Sequence, residues 1–227
     1  MRVLVACEES QVVCIAFRNK GHEAYSCDIL PCSGGHPEWH IKDDVLKHLN
    51  DGWDMMIGHP PCTHLAVAGA AWFKEKFNDG RQWVGVNFFM QFVFAPINKI
   101  AIENPIGIMS RIYRKPDQII QPWMFGDEFQ KTTCLWLKNL QPLYHNGQSN
   151  LFDKEITHVN KGEFYEWVDG KTGKIKKQPL WYAEAFLKRK ENNSGKIRSK
   201  TFPRIANAFA SQWSEDLGFL NTDTFLK

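Results

Sequence analysis

The chain has 227 residues, 43% hydrophobic and 13% aromatic, which suffices for one full core with a small appendage and excludes a disordered chain. Six cysteines are too few for a disulfide scaffold, so reduced thiols are expected, and no uncharged run approaches the ~18 residues of a membrane span. The opening MRVLVACEES carries only a short apolar run before two glutamates, unlike a secretory leader, so a soluble cytoplasmic protein with no membrane partner is expected.

The net charge of +3 conceals an asymmetry: residues 154–204 hold 13 Lys/Arg against 6 Asp/Glu, a local balance of +7, and the remainder carries −4. Such a stretch is either a solvated surface or a phosphate-binding one.

In chain order, RVLVAC reads as a buried strand, and SQVVCIAFRNKGH as a helix that Ser10 can cap and Gly21 can end. EAYSCDIL is a second strand ending in Asp28, PCSGGHPEWHIKDDV a loop, and VLKHLNDG a short helix. WDMMIGH is a strand entering Pro60-Pro61-Cys62, RQWVGVNFFMQFVFAPI has helical length, and KIAIENP and TTCLWLKNL are further strands. Alternating strands and helices predict a mostly parallel twisted sheet with helices on both faces, where ligands bind beyond the carboxyl ends of the strands. Past residue 141 the pattern changes: EFYEWVDGKTGKIKKQPLWY reads as two strands around the turn DGKTG, and FPRIANAFASQWSEDLG as a helix returning to the sheet. The organisation expected is an α/β catalytic unit over 1–140, a small basic insertion over 141–198 and a C-terminal helical segment over 199–227.

The strand-end residues carry the chemistry. A cysteine behind a Pro-Pro corner is either a small buried apolar side chain or a thiol fixed at a strand end and aimed at a substrate. Asp28, Asp44, Pro60-Pro61-Cys62 and Glu103-Asn104 occur in an order and spacing that resemble the DNA (cytosine-5) methyltransferase family, whose PPC and EN motifs match Pro60-Pro61-Cys62 and IENP at Ile102 to Pro105, with Gly21-His22 closing the first helix at the family spacing. The resemblance covers roughly residues 1–140 and, weakly, the final helix. It implies a Rossmann-like class I methyltransferase fold, DNA as substrate (duplex or single-stranded) and S-adenosylmethionine as donor. Cys62 is then the nucleophile that adds to cytosine C6, making C5 able to attack a methyl group. Glu103 holds the N3 and amino edge, with a pKa raised by burial so that it donates a proton, and Asn104 and the prolines shape the strand ends. The target base is extruded from the duplex. Asp28 is expected at the donor's ribose and Asp44 at its adenine, with Cys7, Glu8, Glu9, His59 and Pro60 lining the same crevice; Glu8 or Glu9 is a candidate for the donor's ammonium group.

The chain departs from the family in four places. The loop after the first strand has the form Phe-x-Gly-x-Gly in the family, and here Cys7, Glu9 and Gln11 stand at those positions, so side chains are expected to crowd the donor. The Gln-x-Arg-x-Arg strand corresponds to QKTTC, keeping Gln130, with Lys131 supplying one charge. Arg198-Ser199 replace the Gly-Asn before the last helix. The long recognition domain is reduced to about 60 residues, in which a basic hairpin with aromatics can track a phosphate backbone and stack on bases. Pro61, His64, Gln130, Lys131, Lys176, Lys177, Arg198 and Lys200 are the expected substrate contacts, with a partner as an alternative source of target recognition; in its shortness the chain resembles phage or prophage enzymes. His59 and His64 flank Cys62, and either can lower its pKa.

Cys27, Cys32, His36 and His40 have spacings within reach of a zinc site, but Cys27 falls inside a strand beside Asp28, which splays the set, so no metal is expected. Two other functions stay open: cysteine-dependent pyrimidine chemistry with a different donor or a nucleotide substrate, and a non-catalytic nucleic-acid-binding relative.

Overall fold

A computed structural model of the protein describes residues 1–145, 160–187 and 201–214. Strands β1 (Arg2–Ala6), β2 (Glu23–Asp28), β3 (His40–Lys42), β4 (Met55–Gly58) and β5 (Lys99–Pro105) run parallel. With β6 (Gln118–Ile120) and β7 (Thr133–Lys138) they form one sheet of order β3-β2-β1-β4-β5-β7-β6, in which β7 is antiparallel to both neighbours. This is a Rossmann-like α/β sheet: the chain lays β1, β2 and β3 outward to one side and then returns to place β4 and β5 on the other. At the switch point between β1 and β4, where ligands bind in such sheets, Cys7 and Glu8 follow β1 and His59 follows β4 at the strands' carboxyl ends.

The continuous apolar character of the strands follows from burial on both faces. Val3, Val5, Met55, Ile57, Ala101 and Leu135 point to one side, where helix α1 (Val12–Asn19) packs with Val13 and Phe17. On the same side lies α6 (Pro203–Ser214), which buries Ile205, Ala206, Phe209 and Trp213 at helical spacing. Trp213 Nε1 donates to the Gln141 carbonyl at 2.9 Å. The alternate residues Leu4, Ala6, Met56, Ile100, Ile102 and Trp136 face the other side, against α3 (Arg81–Val93) with Val86, Phe89 and Phe92. Shorter helices α2 (Phe73–Asn78), α4 (Met109–Ile112) and α5 (Leu180–Leu187) connect these parts, and β8 (Phe164–Val168) and β9 (Ile175–Pro179) form the hairpin expected around DGKTG.

Three local expectations are corrected. The stretch read as a loop after β2 contains β3, paired with β2 through Ser26, Cys27 and Asp28. Residues 45–52 form only a one-turn 3-10 helix, Val45–Lys47. Ser10 does not cap α1: Gln11 occupies the N-cap in a left-handed conformation (φ 59), and Glu8 reaches forward to take the amides of Val13 (2.7 Å) and Cys14 (3.1 Å). A carboxylate on the first free amides of a helix satisfies both the hydrogen-bonding deficit and the helix dipole. Glu8 is 4% exposed, and burial pushes its carboxyl pKa up, opposed by the charge of His59 and by the two amides. Glu8→Ala leaves two buried amides unsatisfied and is expected to cost about 1–2 kcal/mol, read as a lower urea midpoint at unchanged slope.

Candidate active site

The PPC and ENP segments are tied together by backbone and side-chain bonds. The His59 amide donates to the Ala6 carbonyl at 2.9 Å, so the Pro60-Pro61 corner starts at the switch point. Asn104, 2% exposed, donates Nδ2 to the Pro60 carbonyl at 2.8 Å. The Cys62 carbonyl accepts from the amides of Leu65 and Ala66, both at 2.9 Å, closing a turn behind the cysteine. Beyond it, the Val67 amide bonds to the Ile106 carbonyl and the Ile108 amide to the Leu65 carbonyl, each at 3.0 Å. A Cβ on Gly107 would stand 2.4 Å from the Leu65 carbonyl oxygen, so glycine is what allows the exits of β4 and β5 to approach this closely. Lys76, 7% exposed, braces the turn from α2 by donating Nζ to the Thr63 carbonyl at 2.6 Å. Pro60 is buried, Pro61 exposed and Cys62 half-buried.

Glu103 sits at the end of β5, 9% exposed, and accepts from His59 Nδ1 at 2.9 Å across the two strand ends. Its expected raised pKa is corrected. Burial alone pushes the carboxyl up, but the charge of Lys131, the bond and charge of His59 and the Thr133 hydroxyl together outweigh burial and hold it down at about 2. Glu103 is therefore an ionised acceptor. Its charge, after burial, also helps push the nearby Cys134 thiol up to about 11. His59 Nε2 is buried without a hydrogen-bond partner, as is His64 Nδ1.

At the ends of β1 and β2, and beyond β3, Cys7, Asp28 and Asp44 cluster: burial first, then the charges of Asp28 and Asp44, push the Cys7 thiol well above its ordinary range. Asp28 Oδ1 accepts from the Leu30 amide (2.9 Å) and Asp44 Oδ1 from the Leu46 amide (3.0 Å). Two acids at adjacent strand ends suit the hydroxyls and amino group of a nucleoside. Cys7 (φ 60) and Gln11 (φ 59) keep the left-handed backbone that glycine favours. The Gln11 side chain, expected to crowd this crevice, turns instead toward the next loop: Nε2 donates to the His36 carbonyl (2.8 Å) and Oε1 accepts the His36 amide (3.1 Å). Gly34 makes room for it, since a Cβ there would lie 2.5 Å from Gln11 Cβ. Glu9 accepts the Ser33 amide on its carbonyl at 2.7 Å, which ties the same loop down. A nucleoside such as that of S-adenosylmethionine would find fitting groups in Asp28 and Asp44, whereas an amino-acid half would face α1 with the amides of Val13 and Cys14 already taken by Glu8.

Three of the four zinc candidates make other contacts: His40 Nε2 donates to the Leu30 carbonyl (2.9 Å), His36 stacks on Trp39 at 3.9 Å, and Cys27 Sγ lies 3.6 Å from the Asp43 carbonyl. Among the described residues no three His, Cys, Asp or Glu side chains converge on a metal position, and no helix is long and apolar enough to cross a membrane.

The hairpin hangs from the segment before β7. Trp181 Nε1 donates to the Gln130 carbonyl (3.0 Å), and Gln130 Nε2 to the Lys161 carbonyl (3.4 Å), one residue from Lys131. Lys176 pairs with Asp169, Lys177 lies 5.0 Å over the Phe164 ring, and Tyr165 stacks on Trp167 at 5.9 Å. Arg198 and Lys200 lie outside the described residues. The sequence reading missed three site features: Lys76 under the cysteine turn, Glu8 as a helix cap and the His59–Glu103 bond. The last joins positions 44 apart in sequence, which no local pattern signals.

No family model matches the sequence, and no curated protein matches it. Among solved structures the chain is similar to one described as a putative DNA modification methyltransferase encoded within a prophage of E. coli, with a TM-score of 0.40 and 16% identity over 60% of this chain. The match spans 46% of that chain, less than half its length.

Proposed function

We propose that the protein methylates cytosine C5 in DNA, using S-adenosylmethionine and a covalent bond from Cys62 to C6. The observation that carries this reading is the pinning of the Pro60-Pro61-Cys62 corner by Asn104, on the strand end that holds the buried, ionised Glu103. Cys62 sulfur bonds to C6, and the C5–C6 π electrons become available at C5. Glu103 accepts the exocyclic amino N–H on the oxygen that His59 does not use, which favours a base with an amino group over one with a carbonyl there. Asp28 and Asp44 hold the nucleoside of the donor, which when bound supplies an electrophilic methyl group. C5 then loses its proton, the sulfur leaves C6 and the aromatic ring returns. The lysines and aromatics of the β8–β9 hairpin track the DNA strand beside the site.

A second reading keeps the cysteine chemistry and changes the donor. It is favoured by Glu9 and Gln11 at the two glycine positions and by Glu8 on the α1 amides.

Incubation with DNA carrying 5-fluorocytosine tests both. The expected result is a covalent adduct that S-adenosylmethionine makes permanent, because fluorine at C5 blocks release, and that is absent in Cys62→Ser. An adduct indifferent to the donor favours the second reading, and no adduct in the wild-type protein refutes both.

A further inference from the structure

The β8–β9 hairpin has no core of its own, because two strands cannot bury a face between them. It is anchored at its base, where the Leu180 amide donates to the Glu163 carbonyl at 2.8 Å and Trp181 Nε1 holds the Gln130 carbonyl next to Lys131. The pleat sorts its side chains into two faces. Tyr165, Trp167 and Asp169 share one, with Gln178 and Lys176 at the register positions opposite the two rings. Phe164, Glu166, Val168, Ile175 and Lys177 share the other. On the first face the Tyr165 and Trp167 rings lie 5.9 Å apart at 22°, an offset stack whose outer sides stay open to a further ring. Tyr165 is 49% exposed and Trp167 half-buried. Lys176, on the same face, is paired with Asp169, so charge beside the rings cancels. Exposed lysines stand around this patch: Lys171 and Lys174 at the turn, and Lys177 on the far face, 5.0 Å over the Phe164 ring. Flat rings with cations at their rim fit a chain of flat rings on an anionic backbone. Bases inside a duplex are covered on both sides by their neighbours and offer a protein only their edges, whereas an unpaired strand offers the faces.

We propose that Tyr165 and Trp167 form a stacking platform for unpaired bases, so that the protein takes single-stranded DNA in preference to a duplex. Bases of the strand stack on the open side of Tyr165, and the lysines at the rim meet the phosphates between them. The Trp181–Gln130 anchor keeps the platform on the segment that carries Lys131, whose charge acts on Glu103. That the polymer is DNA rests on the function proposed above; the preference for unpaired bases rests on the rings and is measurable without it.

The test uses the full chain carrying Cys62→Ser, so that no covalent step contributes to binding. It is titrated by fluorescence anisotropy, at several salt concentrations, against a labelled DNA strand of about 16 nucleotides and against the duplex of the same sequence. The single strand is expected to bind about tenfold more tightly than the duplex. Adding Tyr165→Ala weakens single-strand binding about tenfold, the effect of losing one stacked base, and leaves duplex binding and the salt dependence unchanged because no charge is removed. Tyr165→Phe keeps the ring and binds both DNAs as the parent does. Lys174→Ala weakens both alike and flattens the salt dependence. Equal affinity for the two DNAs, or a Tyr165→Ala protein that binds the single strand as tightly as its parent, overturns the platform whether or not the 5-fluorocytosine adduct forms. Tighter binding of RNA of the same sequence overturns the assignment to DNA. A strand preference that holds while the wild-type protein forms no adduct keeps the platform and removes the cytosine chemistry.

Discussion

Glu103→Gln is expected to slow 5-fluorocytosine adduct formation by about a hundredfold or more, the lower end of what general acid–base and charge-assisted groups contribute. The amide is nearly isosteric, but it has one acceptor oxygen where the carboxylate has two. One neutral glutamine oxygen must divide its lone pairs between His59 Nδ1 and the amino edge of a base, or leave one of them to the amide nitrogen, which presents hydrogens instead of an acceptor. The same substitution changes the acid response of the fold. Glu103 is held at about 2 against an ordinary value of 4.5, so its contribution to stability is present above the ordinary value and is lost as pH falls toward 2. Wild-type thermal midpoints are therefore expected to fall over that interval more steeply than those of Glu103→Gln. A rate loss of less than threefold, or parallel acid curves, would show that Glu103 is not the charged centre of the site.

The two outcomes for Glu103 also show where sequence reading works and where it stops. The Val-Leu-Val and Met-Met-Ile runs announce strands buried on both faces, and that pattern is local enough to read without coordinates. So is the hairpin, because DGKTG is turn chemistry between two extended runs. The short strands β3 and β6 have three residues each, too few for any period, and exist only because a neighbouring strand offers an edge. Burial of Glu103 is inferable from its place after an apolar strand, and so is the upward pull of burial on its pKa. The net direction is not, because Lys131 reaches it from the segment entering β7, Thr133 from β7 and His59 from the turn after β4, all set by the sheet order. Capping of α1 fails for a related reason. Ser10 stands at the customary position, but the left-handed turn at Gln11 hands the amides to Glu8.

Asn104→Ala carries the other large effect, and it falls on the geometry of the nucleophile. Asn104 is buried at the register position opposite Cys134, and its amide is the side-chain donor to the Pro60 carbonyl. Proline has no N–H, so a Pro-Pro corner cannot be anchored through its own amides and depends on its carbonyls. Removing Asn104 leaves that carbonyl unsatisfied in a buried place, a cost of about 1–3 kcal/mol, and opens a small void at the strand end. The corner is then held mainly by the backbone bonds beyond Cys62, which fix the later residues of the turn and leave the proline side free to shift. A displacement of about 1 Å at a reacting atom is enough for a hundredfold loss of rate. Asn104→Ala is thus expected to lower the urea midpoint and to reduce adduct formation about a hundredfold, with DNA affinity preserved because the β8–β9 hairpin is untouched. Asn104→Asp separates packing from donation: it fills the same volume, but its carboxylate oxygens face the Pro60 carbonyl without a hydrogen to offer. If Asn104→Asp forms the adduct at the wild-type rate, the bond to Pro60 does not position Cys62.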